Sequence, residues 1–408
     1  MKNESLPLLS VEEVWARMQA EAVAVADCER VTLDEALSRV LAEDLRAPIT
    51  VPGFDNSAMD GYAFRADDAR GRRELPISLR VAAGDPPGKL SPGTACRIFT
   101  GAPVPAGADT VVIQEHCERR GDTLVLPEAW TPHANIRRAG EDIRAGDVIL
   151  QAGARLSPQA VGLAASCGFP EVLVRRRLRV AILSTGNELK TAGLGPLNQG
   201  QIYDSNRPML HALLAHLGCE IQAAGPVSDD VAATCEALRA AAQAADVIFT
   251  TGGVSVGEED HVKAALEAEG TLALWRVAIK PGKPLAFGRV GAAYFLGLPG
   301  NPVSAFVTFL LFAQPFLKAL MGQTPGPLRG FPVRAAFMRA TPDKRREFLR
   351  ARLTIRADGA LWAEAYPRQS SGVLSSTVWA DGLVDIAAGR TVAEGEAVPF
   401  LPFEGLGC

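Results

Sequence analysis

A chain of 408 residues is too long for one hydrophobic core, and its 48% hydrophobic content is ample for several folded units. A net charge of −4 with no block of Lys or Arg leaves no nucleic-acid footprint, so any anion site must be local. Seven widely spaced cysteines, without a CxxC or a Cys/His cluster, argue against a disulfide framework and a zinc site and read as reduced thiols. No apolar h-region follows Lys2 and Glu4, and no later stretch reaches about 18 uninterrupted apolar residues, so a soluble cytoplasmic protein without a membrane segment is expected.

Ser10 followed by Glu13 is a capping-box pattern that predicts a helix to about Ala24, and Leu33 to Leu45 carries a second helical pattern through Leu37, Val40 and Leu41. From Ala47 to about Asp147 the texture changes to short β-like runs cut by Pro and Gly. Ser157-Pro158 then opens a helix to about Cys167, expected to pack back on the N-terminal pair and to leave the β-rich stretch as an insertion. From Leu178 to Gly322 strand and helix alternate: RVAILST, a helix from about Asp204, CEIQAAGPV, a helix opening at Ser228, the Asp246 strand and its helix, LALWRVAI, PLAFG, AAYFLGL and a long helix from about Asn301. Such alternation predicts a mostly parallel sheet in an α/β sandwich, with ligands bound outside the carboxyl ends of the strands. After a turn-rich linker the last eighty or so residues alternate apolar and polar, as a small β barrel or sandwich would. The expected fold is therefore multidomain α/β: a helical N-terminal domain (1–46 and 148–177), a β-rich insertion (47–147), a central α/β domain (178–326) and a C-terminal β domain (327–408).

The predicted site lies where Ser184 to Glu188, Thr250 to Asp260 and Pro299 to Pro302 converge. Ser184, Thr185 and Gly186 end the first strand, where amides and a hydroxyl can meet a phosphate or a ring edge, although a plain turn fits equally. Gly252, Gly253 and Ser255 lie in a loop whose glycines permit close backbone approach, and the following helix start favours an anion. Glu258, Glu259 and Asp260 sit at that same helix start. One or two acids there serve the helix dipole at about 0.3–1 kcal/mol each, whereas three beside an anion loop suggest a cation such as Mg²⁺. Lys280 and Lys283 flank a Pro-Gly turn and suit an oxyanion, or are ordinary surface lysines. Pro299 and Gly300 break a strand into the last long helix. The segment from Pro52 to Phe64 packs Asp55, Asn56, Ser57 and Asp60 between glycines, a composition that ordinary turns share.

Gly253 to Gly257 also matches the GxSxG nucleophile elbow. The only histidine after Ser255 is His261, on the same short helix, so no triad can be assembled. No Walker A and no GxGxxG occurs.

The segments PGFDNSAMDGYA, FTGAPVPAGAD, GEDIRAGD, STGNEL, IYDSN, TTGGVSVGEEDH, IKPGKPLAFG, LPGNPVSA and RREFLR together resemble the MoeA family of molybdopterin molybdenumtransferases, related to the E domain of gephyrin, in the family's order and over nearly the whole chain. The resemblance implies Mg²⁺-dependent insertion of molybdenum from molybdate into adenylylated molybdopterin with release of AMP, by a homodimer with its site between the central domain of one chain and the β insertion of the other. It implies functional roles for Asp60, Thr100, Asp142, Glu188, Asp229, Asp260, Lys280, Lys283, Arg350 and Ser371, with Glu188 and Asp260 as Mg²⁺ ligands. Asp229 and Asp230 are adjacent, and Arg345, Arg346 and Arg350 form a similar cluster, so the matching member of each is open. A MogA-type adenylyltransferase and molybdoenzyme-maturation proteins are the implied partners. Two other readings, an adenylylating enzyme on the MogA-like fold and a gephyrin-like scaffold, are disfavoured by the β insertion and by the retained acids and lysines.

Overall fold

The computed structural model describes residues 8–222, 225–228, 230–252, 261–282, 284–324, 326, 328 and 330–406. The chain divides into two compact units, one of residues 1–29, 38–42 and 174–408 and one of residues 30–37 and 43–173.

In the larger unit an eight-stranded sheet runs in the order Leu8–Leu9, Gly270–Val277, Pro284–Val290, Ala293–Leu298, Val247–Thr251, Arg179–Thr185 and Glu220–Gln222, with Pro226–Val227 also paired to Arg179–Thr185. The pairs around Arg179–Thr185 and Val247–Thr251 are parallel, and the expected parallelism is broken only where Pro284–Val290 lies antiparallel to both its neighbours. The side-chain period of two divides each strand between two cores. Val180, Ile182, Phe249 and Leu296 face a core shared with the helices Val11–Glu21, Asn206–His216 and the long helix from Pro302. Ala181, Leu183, Ile248 and Phe295 face the helices Val231–Ala244 and His261–Glu269.

The capping box forms as predicted, Glu13 N–H donating to Ser10 Oγ at 3.1 Å and Ser10 N–H to Glu13 Oε2 at 2.7 Å. The long helix Pro302–Leu320 contains one π turn, Phe309–Ala313. Pro315 explains it: proline has no N–H for the Leu311 carbonyl one turn back, and that carbonyl instead accepts from Trp15 Nε1 at 2.5 Å. The helix is apolar enough to cross a membrane by composition, but 83% of its most apolar window is buried in this core.

The C-terminal residues close into a barrel in the order Arg346–Ile355, Leu361–Ala365, Phe331–Ala335, Ala397–Pro402, Gly382–Ile386 and back to Arg346–Ile355. A short strand from the central lysine loop, Ile279–Lys280, joins the barrel in parallel with Arg346 and Glu347.

The smaller unit is built on a six-stranded sheet in the order Thr110–Ile113, Gly61–Phe64, Ala95–Ile98, Glu74–Val81, Thr123–Val125 and Glu118–Arg120. The helix Pro158–Ser166 starts on the Ser157 cap as expected. The second N-terminal helix does not form. Its pattern yields a 3₁₀ turn, Leu33–Glu35, and a short strand, Leu45–Arg46, because Ser38 takes φ +65° and ends the right-handed path after one turn.

Candidate active site

Parallel register brings three strand ends to one edge: Ser184 lies opposite Thr251, and Thr251 opposite Leu298. The residues that follow, Thr185 with Gly186, Gly252, and Pro299 with Gly300, must therefore meet. They do so at backbone distance. Gly252 has φ +86°, and a Cβ there would stand 3.4 Å from the Thr185 carbonyl oxygen, while one on Gly300 would stand 3.6 Å from Gly252 Cα. The turn is fixed by Asn206, a buried residue whose Nδ2 donates to the Gly300 carbonyl at 2.7 Å.

These glycines floor a cavity of about 710 Å³. Gly252, Lys280, Pro299, Gly300 and Ser371, all expected from the sequence, line it together with Gly282, Asn301, Ser304, Arg345 and Gln369. Its volume is in the range of small-molecule sites. The barrel wall is tied to the central helix where Val303 N–H donates to the Ser371 carbonyl at 3.0 Å.

The charged side chains lining the cavity are cationic among the described residues, and both are braced from behind. Lys280 Nζ contacts Glu347 Oε1 at 2.9 Å and Asp343 Oδ2 at 3.1 Å, and the hydrogen bond to Glu347 raises its pKa most. Asp343 also accepts from the Arg345 backbone and guanidinium, which, with Arg345's side chain foremost, hold its carboxyl far below the usual range. Glu347 is shared with Arg339. Three cations thus face two carboxylates, so one positive charge stays uncompensated for an anion.

Of the arginines left open by the sequence, Arg345 lines the cavity, Arg346 is engaged bidentately with Asp385, and Arg350 is wholly buried. Arg350 donates to Ser376 Oγ at 3.0 Å and to the Ser370 carbonyl at 3.1 Å, and burial lowers its pKa to about 10. These bonds tie it to the loop that carries Gln369 to Ser371. Ser184 and Thr185 are buried at the same sheet edge, and Ser184 Oγ has no hydrogen-bond partner among the described residues. Glu188 folds over Gly186, where a Cβ would come within 2.5 Å of its carboxylate. Asp229, Gly253, Ser255, Asp260 and Lys283 lie outside the described residues; the neighbouring Asp230 caps the Val231–Ala244 helix through Ala233 N–H.

In the smaller unit three loops converge, two of which carry acids. Asp60 Oδ1 accepts from the Thr100 amide and hydroxyl, both at 2.8 Å, and the amide bond contributes most to holding its carboxyl below the usual range. Asp55 accepts from Ala139 N–H at 2.8 Å and Arg138 Nη1 at 2.6 Å, which ties this loop to the turn bearing the exposed Asp142. Asp142 N–H donates to the Val51 carbonyl, so the turn is fixed through backbone.

For Mg²⁺, the described residues offer no group of three or more His, Cys, Asp or Glu. A magnesium ion held by one or two carboxylates plus substrate oxygens does not require such a group. The exposed Glu188, whose carboxylate lies over Gly186, can supply one of these.

Three family descriptions match along the chain: the MoeA N-terminal region (domain I and II) at residues 9–168, a probable molybdopterin binding domain at 181–319, and the MoeA C-terminal region (domain IV) at 332–403. The molybdopterin molybdenumtransferase of Haemophilus influenzae is 40% identical over 98% of this chain and 100% of its own length. The chain belongs to the MoeA family. Molybdopterin molybdenumtransferase 2 of Mycobacterium tuberculosis is 40% identical over 92% of this chain and 95% of that one. The crystal structure of the MoeA protein of Pyrococcus horikoshii OT3 superposes with a TM-score of 0.81 at 29% identity, over 97% of this chain and 99% of that chain. As a MoeA-family member the chain is a transferase of molybdenum cofactor biosynthesis.

Asn206, Asn301, Ser304 and Gln369 were not among the expected site residues, and Arg345 was expected only as one of three arginines left open. Asn206, Asn301, Ser304 and Arg345 were within reach of the signal, in or beside the IYDSN, LPGNPVSA and RREFLR segments, and Gln369 lies in PRQSS.

Proposed function

We propose that this MoeA-family chain transfers molybdenum from molybdate to the dithiolene of adenylylated molybdopterin and releases AMP. The observation that carries the reading is the cavity at the sheet's carboxyl edge, floored by glycines and walled by Lys280 and Arg345. Molybdate is a dianion and needs such cations: one pair of unit charges at 4 Å interacts by about 4 kcal/mol at an effective dielectric of about 20. The glycine floor admits a flat ring against backbone, and Ser371, Gln369 and Asn301 supply polar contacts at the rim.

Mg²⁺, held by Glu188 and Asp260 together with substrate oxygens, would neutralise charge on the phosphate. The acids Asp60 and Asp142 of the smaller unit act on the same substrate from the partner chain of a homodimer. Lys283 joins Lys280 in binding the oxyanion, and Asp229 and the loop of Gly253 and Ser255 contact the substrate. The division into four domains is supported by family matches that end at 168 and 319 and resume at 181 and 332. A MogA-type adenylyltransferase supplies the substrate, molybdoenzyme-maturation proteins receive the product, and the reaction takes place in the cytoplasm.

Purified protein incubated with adenylylated molybdopterin, Mg²⁺ and molybdate should release AMP only when all three are present. Consumption of ATP in place of the adenylylated substrate would assign the chain the preceding, adenylylating step instead.

A further inference from the structure

Glu347 lies in register with Lys280 where the lysine strand joins the barrel. It is 2% exposed and does not line the cavity, whereas Lys280 does. Its Oε1 takes Lys280 Nζ at 2.9 Å, closer than Asp343 does at 3.1 Å, and the same oxygen meets the guanidinium of Arg339. An ammonium has three N–H donors on a flexible four-carbon stem. Here it donates to Asp343 and stands in ion-pair contact with Glu347, so two carboxylates behind it set where its remaining donors point.

We propose that Glu347 is a positioning residue for oxyanion binding: without touching the anion, it holds the Lys280 ammonium at the cavity wall. The inference rests on the reading that Lys280 binds the oxyanion. Asp343 cannot replace Glu347, because it is already shared with Arg345 through three contacts. Arg339 supplies a second cation against the buried carboxylate.

A positioning role and a charge effect at Glu347 have opposite signs. Removing a carboxylate near an anion site strengthens anion binding by Coulomb's law, whereas removing a positioning group weakens it. In the full-length protein, the Glu347→Gln variant should raise the molybdate half-saturation of AMP release about tenfold, with turnover at saturating molybdate within about threefold of wild type. Combined with Lys280→Ala it should add nothing to the effect of Lys280→Ala alone, since both act through one ammonium. Glu347→Asp keeps the charge and shortens the reach, so it should also weaken molybdate; this variant carries the test if Glu347→Gln fails to fold. A half-saturation that falls or stays at the wild-type value in the Glu347 variants, while Lys280→Ala raises it, overturns the positioning role. If Lys280→Ala itself leaves half-saturation unchanged, the reading of Lys280 fails and the role of Glu347 with it.

Discussion

In the larger unit the cations at the cavity are held by carboxylates behind them, Glu347 buried and Asp343 shared, and the floor is backbone at van der Waals distance. In the smaller unit the arrangement is inverted: exposed acids are held by backbone amides and a hydroxyl, Asp60 by Thr100 and Asp55 by Ala139. The first design makes charge depend on packing, so a change there should disturb fold and binding together. The second puts charge on a surface turn, so its removal should be read in activity with little change in stability.

The sharpest way to break this comparison is at Gly282. Its φ of +96° disfavours any side chain, and a Cβ would lie 2.7 Å from Thr308 Oγ1, a short side chain on the buried long helix with no room to yield. Gly282→Ala should destabilise the protein by about 1–3 kcal/mol and, by displacing the Lys280 loop, slow AMP release by about a hundredfold or more. Urea unfolding and the transfer assay measure the two effects. Near-wild-type values in both would show that the lysine loop is not set by the helix beneath it.

The sheet edge was legible in the sequence because strand periodicity and glycine turns are local signals, and they placed Gly252, Pro299 and Gly300 together before any register was known. The brace behind Lys280 was not. Asp343 and Glu347 stand more than sixty positions downstream, and only the parallel pairing of Ile279–Lys280 with the barrel brings them to the lysine. Arg350 attracted the same reading as Arg345 because both are cations in one segment. Arg345 precedes the strand and lines the cavity, whereas Arg350 lies within the strand and is buried. The missing second helix has the same origin: a helical pattern over 33–45 carries no information about the positive φ that Ser38 adopts.

The acidic side of the comparison is sharpened by Asp60. Asp60→Asn keeps the shape of the Thr100 contact and removes the charge, so AMP release should fall about thirtyfold while the unfolding midpoint in urea stays at its wild-type value. The partner-chain arrangement proposed for Asp60 adds a second measurement. Asp60→Ala and Lys280→Ala chains, each nearly silent alone when assayed at molybdate well below the half-saturation of Lys280→Ala, should regain about a quarter of the wild-type rate when mixed, since half of the dimers are mixed and each has one intact site. Mixed dimers that form and stay inactive would place Asp60 in a site of its own chain, or in none.

The smallest expected effect concerns a carboxylate that combines the two designs, Asp246, at the opposite end of the same sheet. It is partly buried, with its side chain 17% exposed, and it accepts from a backbone amide like Asp60, from Arg179 N at 2.8 Å. Arg176 adds two hydrogen bonds at 2.7 and 2.9 Å, and Arg179 Nη2 a fourth at 3.1 Å. Burial pushes the carboxyl pKa up, but the arginine and amide hydrogen bonds outweigh it and bring it from 3.8 to about 2. A carboxyl depressed on folding stabilises the protein above its unfolded value, and the contribution disappears as pH falls toward its folded one. For Asp246 that window runs from about pH 4 down to about pH 2, and the contribution is about 2 kcal/mol. Comparing wild type with Asp246→Asn removes the titration of every other group from the difference. Urea unfolding at about pH 5 and about pH 2 should therefore show wild type losing about 2 kcal/mol more than the variant. Equal losses would mean that the arginines hold Asp246 no more tightly in the folded chain than water does in the unfolded one, and this acid would belong with the exposed acids of the smaller unit.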